Sequence, residues 1–107
     1  MIEFKDLNLH YVAADGKKRF DGQAVSLRSL INDSIDILDF ENDVETENGL
    51  RTLVSFQYKD GRKAKYFTAD KEQQWYLEQA RKMDKIPFNA TITPEYFGKG
   101  KVRYLFT

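Results

Sequence analysis

The sequence predicts a small, mainly β domain with a single helix. Three observations carry this expectation. Of 107 residues, 41% are hydrophobic and 14% aromatic, enough apolar bulk for one folded core. From Ile35 onward, short apolar runs are separated by turn residues such as Asn48-Gly49 and Asp60-Gly61. From Ile35 onward only one stretch, after Asp70, switches to helical spacing.

Taken in order, Leu7-Asn8-Leu9-His10-Tyr11-Val12 alternates like a strand and Ala14-Asp15-Gly16-Lys17 turns. Residues 1–24 therefore read as an N-terminal hairpin or arm with Lys17, Lys18 and Arg19 at its tip. Val25 to Ile31 places Leu27, Leu30 and Ile31 at helical spacing behind Ser26, an N-cap, although so short a run suits a strand equally. Ile35 to Glu41 is the first strand of the main body. Asn42 to Gly49 reads as a polar, acidic loop. Leu50 to Tyr58 and Arg62 to Thr68 form a hairpin about Asp60-Gly61, a pair that tolerates the positive φ of tight turns. Asp70 caps a helix, with Gln73 three residues on as in a capping box. Tyr76, Leu77, Ala80 and Met83 form its apolar stripe, with Lys71, Glu72, Glu78, Arg81 and Lys82 outside. Trp75, flanking the stripe, reads as a barrel plug or a partner contact. Phe88 to Thr93 alternates as a strand, Pro94 to Lys101 reads as a loop, and Val102 to Thr107 closes the chain as a last strand.

The body thus runs strand, strand, strand, helix, strand, strand. That is the element order of the OB-fold, a five-stranded, partly open Greek-key barrel, here with the helix between strands three and four. The expected organisation is an N-terminal extension over 1–34 packed on an OB-fold-like barrel over 35–107.

OB-folds bind oligonucleotides on strands two and three and the adjoining loops. Here that face would carry Arg51, Tyr58, Lys59, Arg62, Lys63, Lys65 and Tyr66. The loop between strands four and five adds Tyr96, Phe97, Lys99, Lys101 and Arg103. Cations meet phosphates and rings stack on bases, worth about 1–3 kcal/mol per base. Two adjacent rings, Tyr96 and Phe97, do not both turn easily into a core. The plainer reading is that strands favour aromatics anyway, that exposed lysines protect sheet edges, and that one loop ring caps the barrel.

The residues also resemble a family. Phe67-Thr68-Ala69, a helix with Leu77, Ile86-Pro87-Phe88-Asn89-Ala90-Thr91-Ile92 and Tyr104-Leu105-Phe106-Thr107 are similar to small bacteriophage OB-fold single-stranded DNA-binding proteins. Ile37-Leu38-Asp39-Phe40-Glu41 and Val54-Ser55-Phe56 fit the first two strands of that pattern. The resemblance covers about two-thirds of the chain and rests on apolar strand patterns. It implies a non-enzymatic protein of phage or mobile-element DNA replication or recombination, needing no cofactor and binding without sequence preference. Implied partners are single-stranded DNA, replication or recombination proteins and a second copy of the chain. The sequence departs from the acidic, low-complexity tail of many bacterial relatives, which puts tail-mediated recruitment in doubt. The alternative is an interaction module on the same fold that binds protein and no nucleic acid.

Charge bears on that choice. The formal net charge is zero, but residues 1–50 hold five basic and eleven acidic side chains and residues 51–107 twelve and six, balances of −6 and +6. A purely electrostatic nucleic-acid binder is usually more basic, so stacking would have to contribute. The acidic run Asp33, Asp36, Asp39, Glu41, Asp43, Glu45 and Glu47 reads as a solvated edge rather than a two-metal nuclease site, which needs carboxylates converging on cations about 4 Å apart. His10 is the only histidine and no catalytic motif accompanies it. There is no cysteine, no apolar signal core, and no run near the roughly 18 apolar residues of a membrane span. The expectation is a soluble, cytoplasmic, non-enzymatic protein.

Overall fold

The computed structural model describes Met1, Glu3, Phe20 and residues 22–107. These form a six-stranded sheet curled into a half-barrel, with one α-helix. The strands are β1 (Gln23–Ala24), β2 (Ser34–Thr46), β3 (Gly49–Tyr58), β4 (Lys63–Thr68), β5 (Phe88–Phe97) and β6 (Lys101–Phe106), ordered β1-β4-β3-β2-β5-β6. All neighbours are antiparallel except β1 and β4. Helix α1 (Lys71–Lys82) lies between β4 and β5 in the chain. Five strands with a helix after the third were expected from Ile35 on. β1, from the N-terminal segment, makes the sixth. The expected hairpin over 1–24, including Lys17–Arg19, otherwise falls outside the described residues.

β2 is the hub of the sheet. Its first residues pair with both β3 and β5, and the rest with β3 alone. Strict alternation would bury every second residue, yet Ile35, Ile37 and Phe40 all point inward. A register shift between Ile37 and Asp39 resets the alternation, and a second between Glu41 and Val44 bends the strand further. Asp43, within that second bulge, has φ 58°, a conformation aspartate tolerates better than most residues.

Two segments read as loops are strand instead. Residues 42–46 continue β2, because Val44, Glu45 and Thr46 find partners in Arg51, Leu50 and Gly49, and Thr46 Oγ1 donates to the Gly49 carbonyl at 2.7 Å. Residues 94–97 continue β5 opposite β6, with Pro94 facing Tyr104. In both places the neighbouring strand outweighs local turn composition.

The core gathers Ile35, Ile37 and Phe40 of β2, Val54 and Phe56 of β3, Ala64 and Tyr66 of β4, Ile92 of β5 and Leu77 of α1. Leu30 joins them from a 3-10 helix over Leu27–Leu30, the structure adopted by the Val25–Ile31 run, with Ser26 as its N-cap. The segment before β2 is tied in further: the Asn32 N–H donates to the Ile92 carbonyl at 2.7 Å and the Ile92 N–H to Asp33 at 3.1 Å. At Gly22, φ is 96° and any Cβ would lie 2.3 Å from the Lys63 carbonyl oxygen, so only glycine lets β1 approach β4.

Asp70 caps α1 as expected, its Oδ1 accepting from the N–H groups of Glu72 at 2.9 Å and Gln73 at 3.1 Å. Gln73 does not complete a capping box. Its side chain is buried instead, accepting from the Tyr66 hydroxyl at 3.3 Å and donating to the Tyr104 carbonyl at 2.6 Å. The expected stripe is also narrower. Leu77 is buried, whereas Tyr76 and Met83 are exposed, and Trp75, at 58% exposure, plugs nothing. Two residues expected to face out turn back onto β2: Glu78 accepts from Asn42, and Arg81 lies 3.7 Å over the Phe40 ring while donating to the Phe40 carbonyl at 2.6 Å.

The start of α1 ties β4 to β6, through Gln73 to Tyr66 and Tyr104. β1 covers β4, while Gln73 holds the Tyr104 carbonyl and Arg103 reaches Glu72 at 2.7 Å and Asp70 at 3.5 Å. Among the described residues no helix is long and apolar enough to cross a membrane. Nor, among them, do three or more His, Asp or Glu side chains gather so as to hold a metal ion.

Candidate nucleic-acid interface

The twelve residues expected to form one face are divided among several places. Arg51 lies near the start of β3 and donates to its neighbour's carbonyl, Leu50, at 3.2 Å. It lines a groove of about 620 Å³ with Leu50, Lys71, Trp75 and Lys82. Tyr58 lies seven residues further along β3, roughly 23 Å away at strand spacing. Arg51 is therefore not part of a site built around Tyr58.

At the β3–β4 turn, Gly61 with φ 94° closes the chain, and its N–H donates to the Tyr58 carbonyl at 3.0 Å. Asp60 dominates the electrostatics. Its carboxylate accepts from the Arg62 backbone N–H at 3.0 Å and from the guanidinium at 2.7 Å. These bonds, the backbone one first, hold the Asp60 carboxyl below its ordinary value. The Arg62 guanidinium also lies 4.7 Å over the Tyr58 ring, and Phe56 meets that ring edge-on at 5.1 Å. Tyr58 and Arg62 are thus engaged with each other and with Asp60. Lys59 and Lys63 are exposed. Lys65 Nζ donates to the Phe20 carbonyl at 3.0 Å.

Tyr66 is corrected outright. It is 0% exposed, its ring lies 5.8 Å from Phe56, and burial pushes its hydroxyl pKa far upward. Along β4, Ala64, Tyr66 and Thr68 face the core and Lys63, Lys65 and Phe67 face away, so Tyr66 presents no ring to a base. Arg103 is engaged elsewhere. Asp70 first and Glu72 second raise its pKa, and these two carboxylates hold it as a clasp between β6 and α1.

The remaining four residues stay together at the β5–β6 hairpin. Tyr96 is opposite Val102 and Phe97 opposite Lys101, so the adjacent rings leave opposite faces of the ribbon. Tyr96 is 74% exposed and Phe97 45%. Gly98 and Gly100, with φ 61° and 70°, form the tight connection that carries Lys99. Lys99 and Lys101 are exposed and have no carboxylate partner among the described residues.

The structure adds Arg28, which the sequence did not mark. It follows the Ser26 cap on the 3-10 helix, and the bridge between Ile31 and Ile92 brings that helix beside the hairpin. A cleft of about 240 Å³ results, lined by Arg28, Ile31, Tyr96, Lys101, Val102 and Tyr104. Nothing local distinguishes Arg28 from any solvated arginine, because its neighbours come from seventy residues further along.

No curated protein and no solved structure matches the chain. A family model described as a domain of unknown function, DUF8468, matches residues 21–107, and the chain belongs to that family.

Proposed function

We propose that this protein is an OB-fold-like binder of single-stranded DNA, without sequence preference, serving phage or mobile-element DNA replication or recombination. The observation that carries the reading is the β5–β6 hairpin. It offers a largely exposed Tyr96, a second, half-exposed ring and two lysines, with no carboxylate at its tip. Bases stack on such rings whatever their identity, and the lysines meet the backbone. The pairing of the strands supports the fold: β2, β3 and β4 form a meander, β5 returns to β2, and α1 sits between β4 and β5, in Greek-key order.

A second reading, a protein-interaction module, is favoured by one observation. Trp75 and Tyr76 of α1 and Met83 at its C-cap are exposed, Trp75 and Tyr76 in edge contact at 5.3 Å. Fluorescence anisotropy of a labelled oligo-dT at low and moderate salt, with a duplex of equal length as control, separates the two. Single-strand-selective binding that weakens with salt, through counterion release, is the expected result. No binding even at low salt overturns it in favour of the interaction module.

A further inference from the structure

We infer that the cleft between the 3-10 helix and the β5–β6 hairpin takes one unstacked base of a single strand together with its phosphate, Arg28 holding the phosphate. This rests on the single-strand reading and goes beyond it, by adding a pocket and a cation to a surface otherwise made of an exposed ring and two lysines.

The lining has the chemistry for one nucleotide. Tyr96 and Tyr104 line it with aromatic rings on one face of the ribbon, Ile31 and Val102 add apolar surface, and Arg28 supplies the charge. No carboxylate lines the cleft, unlike the cleft at the β3–β4 turn, where Asp33 and Asp60 face Lys59 and Arg62. An anion is therefore favoured here. Arg28 has no carboxylate partner among the described residues, so its guanidinium is available for the paired hydrogen bonds that suit a phosphate. Its backbone is nevertheless held. The Ser29 N–H and hydroxyl donate to Ser26 Oγ and the Ser26 carbonyl at 3.3 and 2.6 Å, Leu30 is buried, and Asn32 is bonded to Ile92. A cation on a pinned backbone loses less freedom on binding than one on a free loop. A duplex keeps its bases stacked and would have to release one to fill the cleft, which adds an unstacking cost that a single strand largely escapes.

The test is anisotropy of labelled oligo-dT and of an abasic strand of equal length. It compares the wild type, Arg28→Ala, Arg28→Lys, Tyr96→Ala and the double variant Lys99→Ala with Lys101→Ala. Arg28→Ala is expected to weaken oligo-dT binding about tenfold, the size of a charge-assisted bond, and to lower the salt slope by about 0.7. Arg28→Lys should restore the slope. The wild type should prefer oligo-dT to the abasic strand, and Tyr96→Ala should abolish that preference. Arg28 is exposed, so the midpoint of thermal unfolding should not move. If oligo-dT binds and the double variant weakens it, while Arg28→Ala changes neither affinity nor slope, the cleft is overturned and the hairpin reading stands. Equal binding of oligo-dT and abasic strand overturns the base in the cleft. No binding by the wild type overturns both.

Discussion

The β3–β4 and β5–β6 hairpins are close to each other in composition and opposite in how they expose it. Each sets tyrosine and lysine beside a glycine turn. In the first, Tyr66 is buried, Tyr58 lies between Phe56 and Arg62, and Asp60 neutralises Arg62. In the second, Tyr96 and Phe97 are exposed and no carboxylate occupies the tip. Two things separate them. One is which face of the strand each ring occupies, fixed by a period of two against a single core. The other is one carboxylate placed beside the arginine of the turn. Aromatic and basic composition does not identify a binding surface until both are known.

The largest test of this contrast is a pair of tyrosines. Tyr66→Ala empties the centre of the core and should cost about 3–5 kcal/mol in urea unfolding, as other large aromatic truncations do. Tyr96→Ala should leave stability within about 0.5 kcal/mol and reduce only oligonucleotide binding. Comparable stability losses would mean that the two rings are not in different environments. Next in size is Gln73→Ala. It leaves the Tyr66 hydroxyl and the Tyr104 carbonyl without their partner, and should cost about 1–3 kcal/mol. An exposed glutamine at the same helix position would cost almost nothing, so the unfolding free energy decides whether Gln73 caps or clasps.

Much of the architecture was legible because it is set by short-range rules. Asp70 capped its helix, Asp60-Gly61 turned its hairpin, and five strands kept their order around one helix. Strand lengths were not legible. Asn42 to Thr46 and Pro94 to Phe97 look like loop, and are strand only because a partner strand runs beside them. Gln73 looked like half of a capping box because its real partners, Tyr66 and Tyr104, lie seven and thirty-one residues away. The candidate site divided along the same line. That Tyr96 and Phe97 do not both turn inward was legible from two adjacent rings, but the strand that sends them to opposite faces was not, since Pro94 to Lys101 looks like loop. Arg28, in contrast, becomes part of a surface only through the bridge from Ile31 to Ile92.

A smaller effect is expected at the hairpin tip. The double variant Lys99→Ala with Lys101→Ala should weaken oligo-dT binding and lower the salt slope by about 1.4, two single-strand phosphate contacts at about 0.7 each. The thermal midpoint should stay where it is, since neither lysine has a carboxylate partner among the described residues. An unchanged slope would remove the tip from the interface.

The smallest effect, and the one that tests the contrast most directly, is Asp60→Asn. The folded-state pKa of Asp60 is lowered, so the stability it contributes is present above its ordinary value of 3.8 and is lost as pH falls through the lowered one. The difference between wild type and variant should therefore be full near about pH 7 and shrink on acidification. A difference that persists at low pH would mean that the charge is not what holds the turn. The substitution also releases Arg62 and makes the β3–β4 turn more basic by one charge. If binding resides in the β5–β6 hairpin, oligo-dT affinity should change less than about twofold, since one added surface charge at a distance is largely screened by salt. A gain of about tenfold, the size of a new charge-assisted contact, would show instead that the β3–β4 turn lies on the path of the strand and that Asp60 holds it out of use.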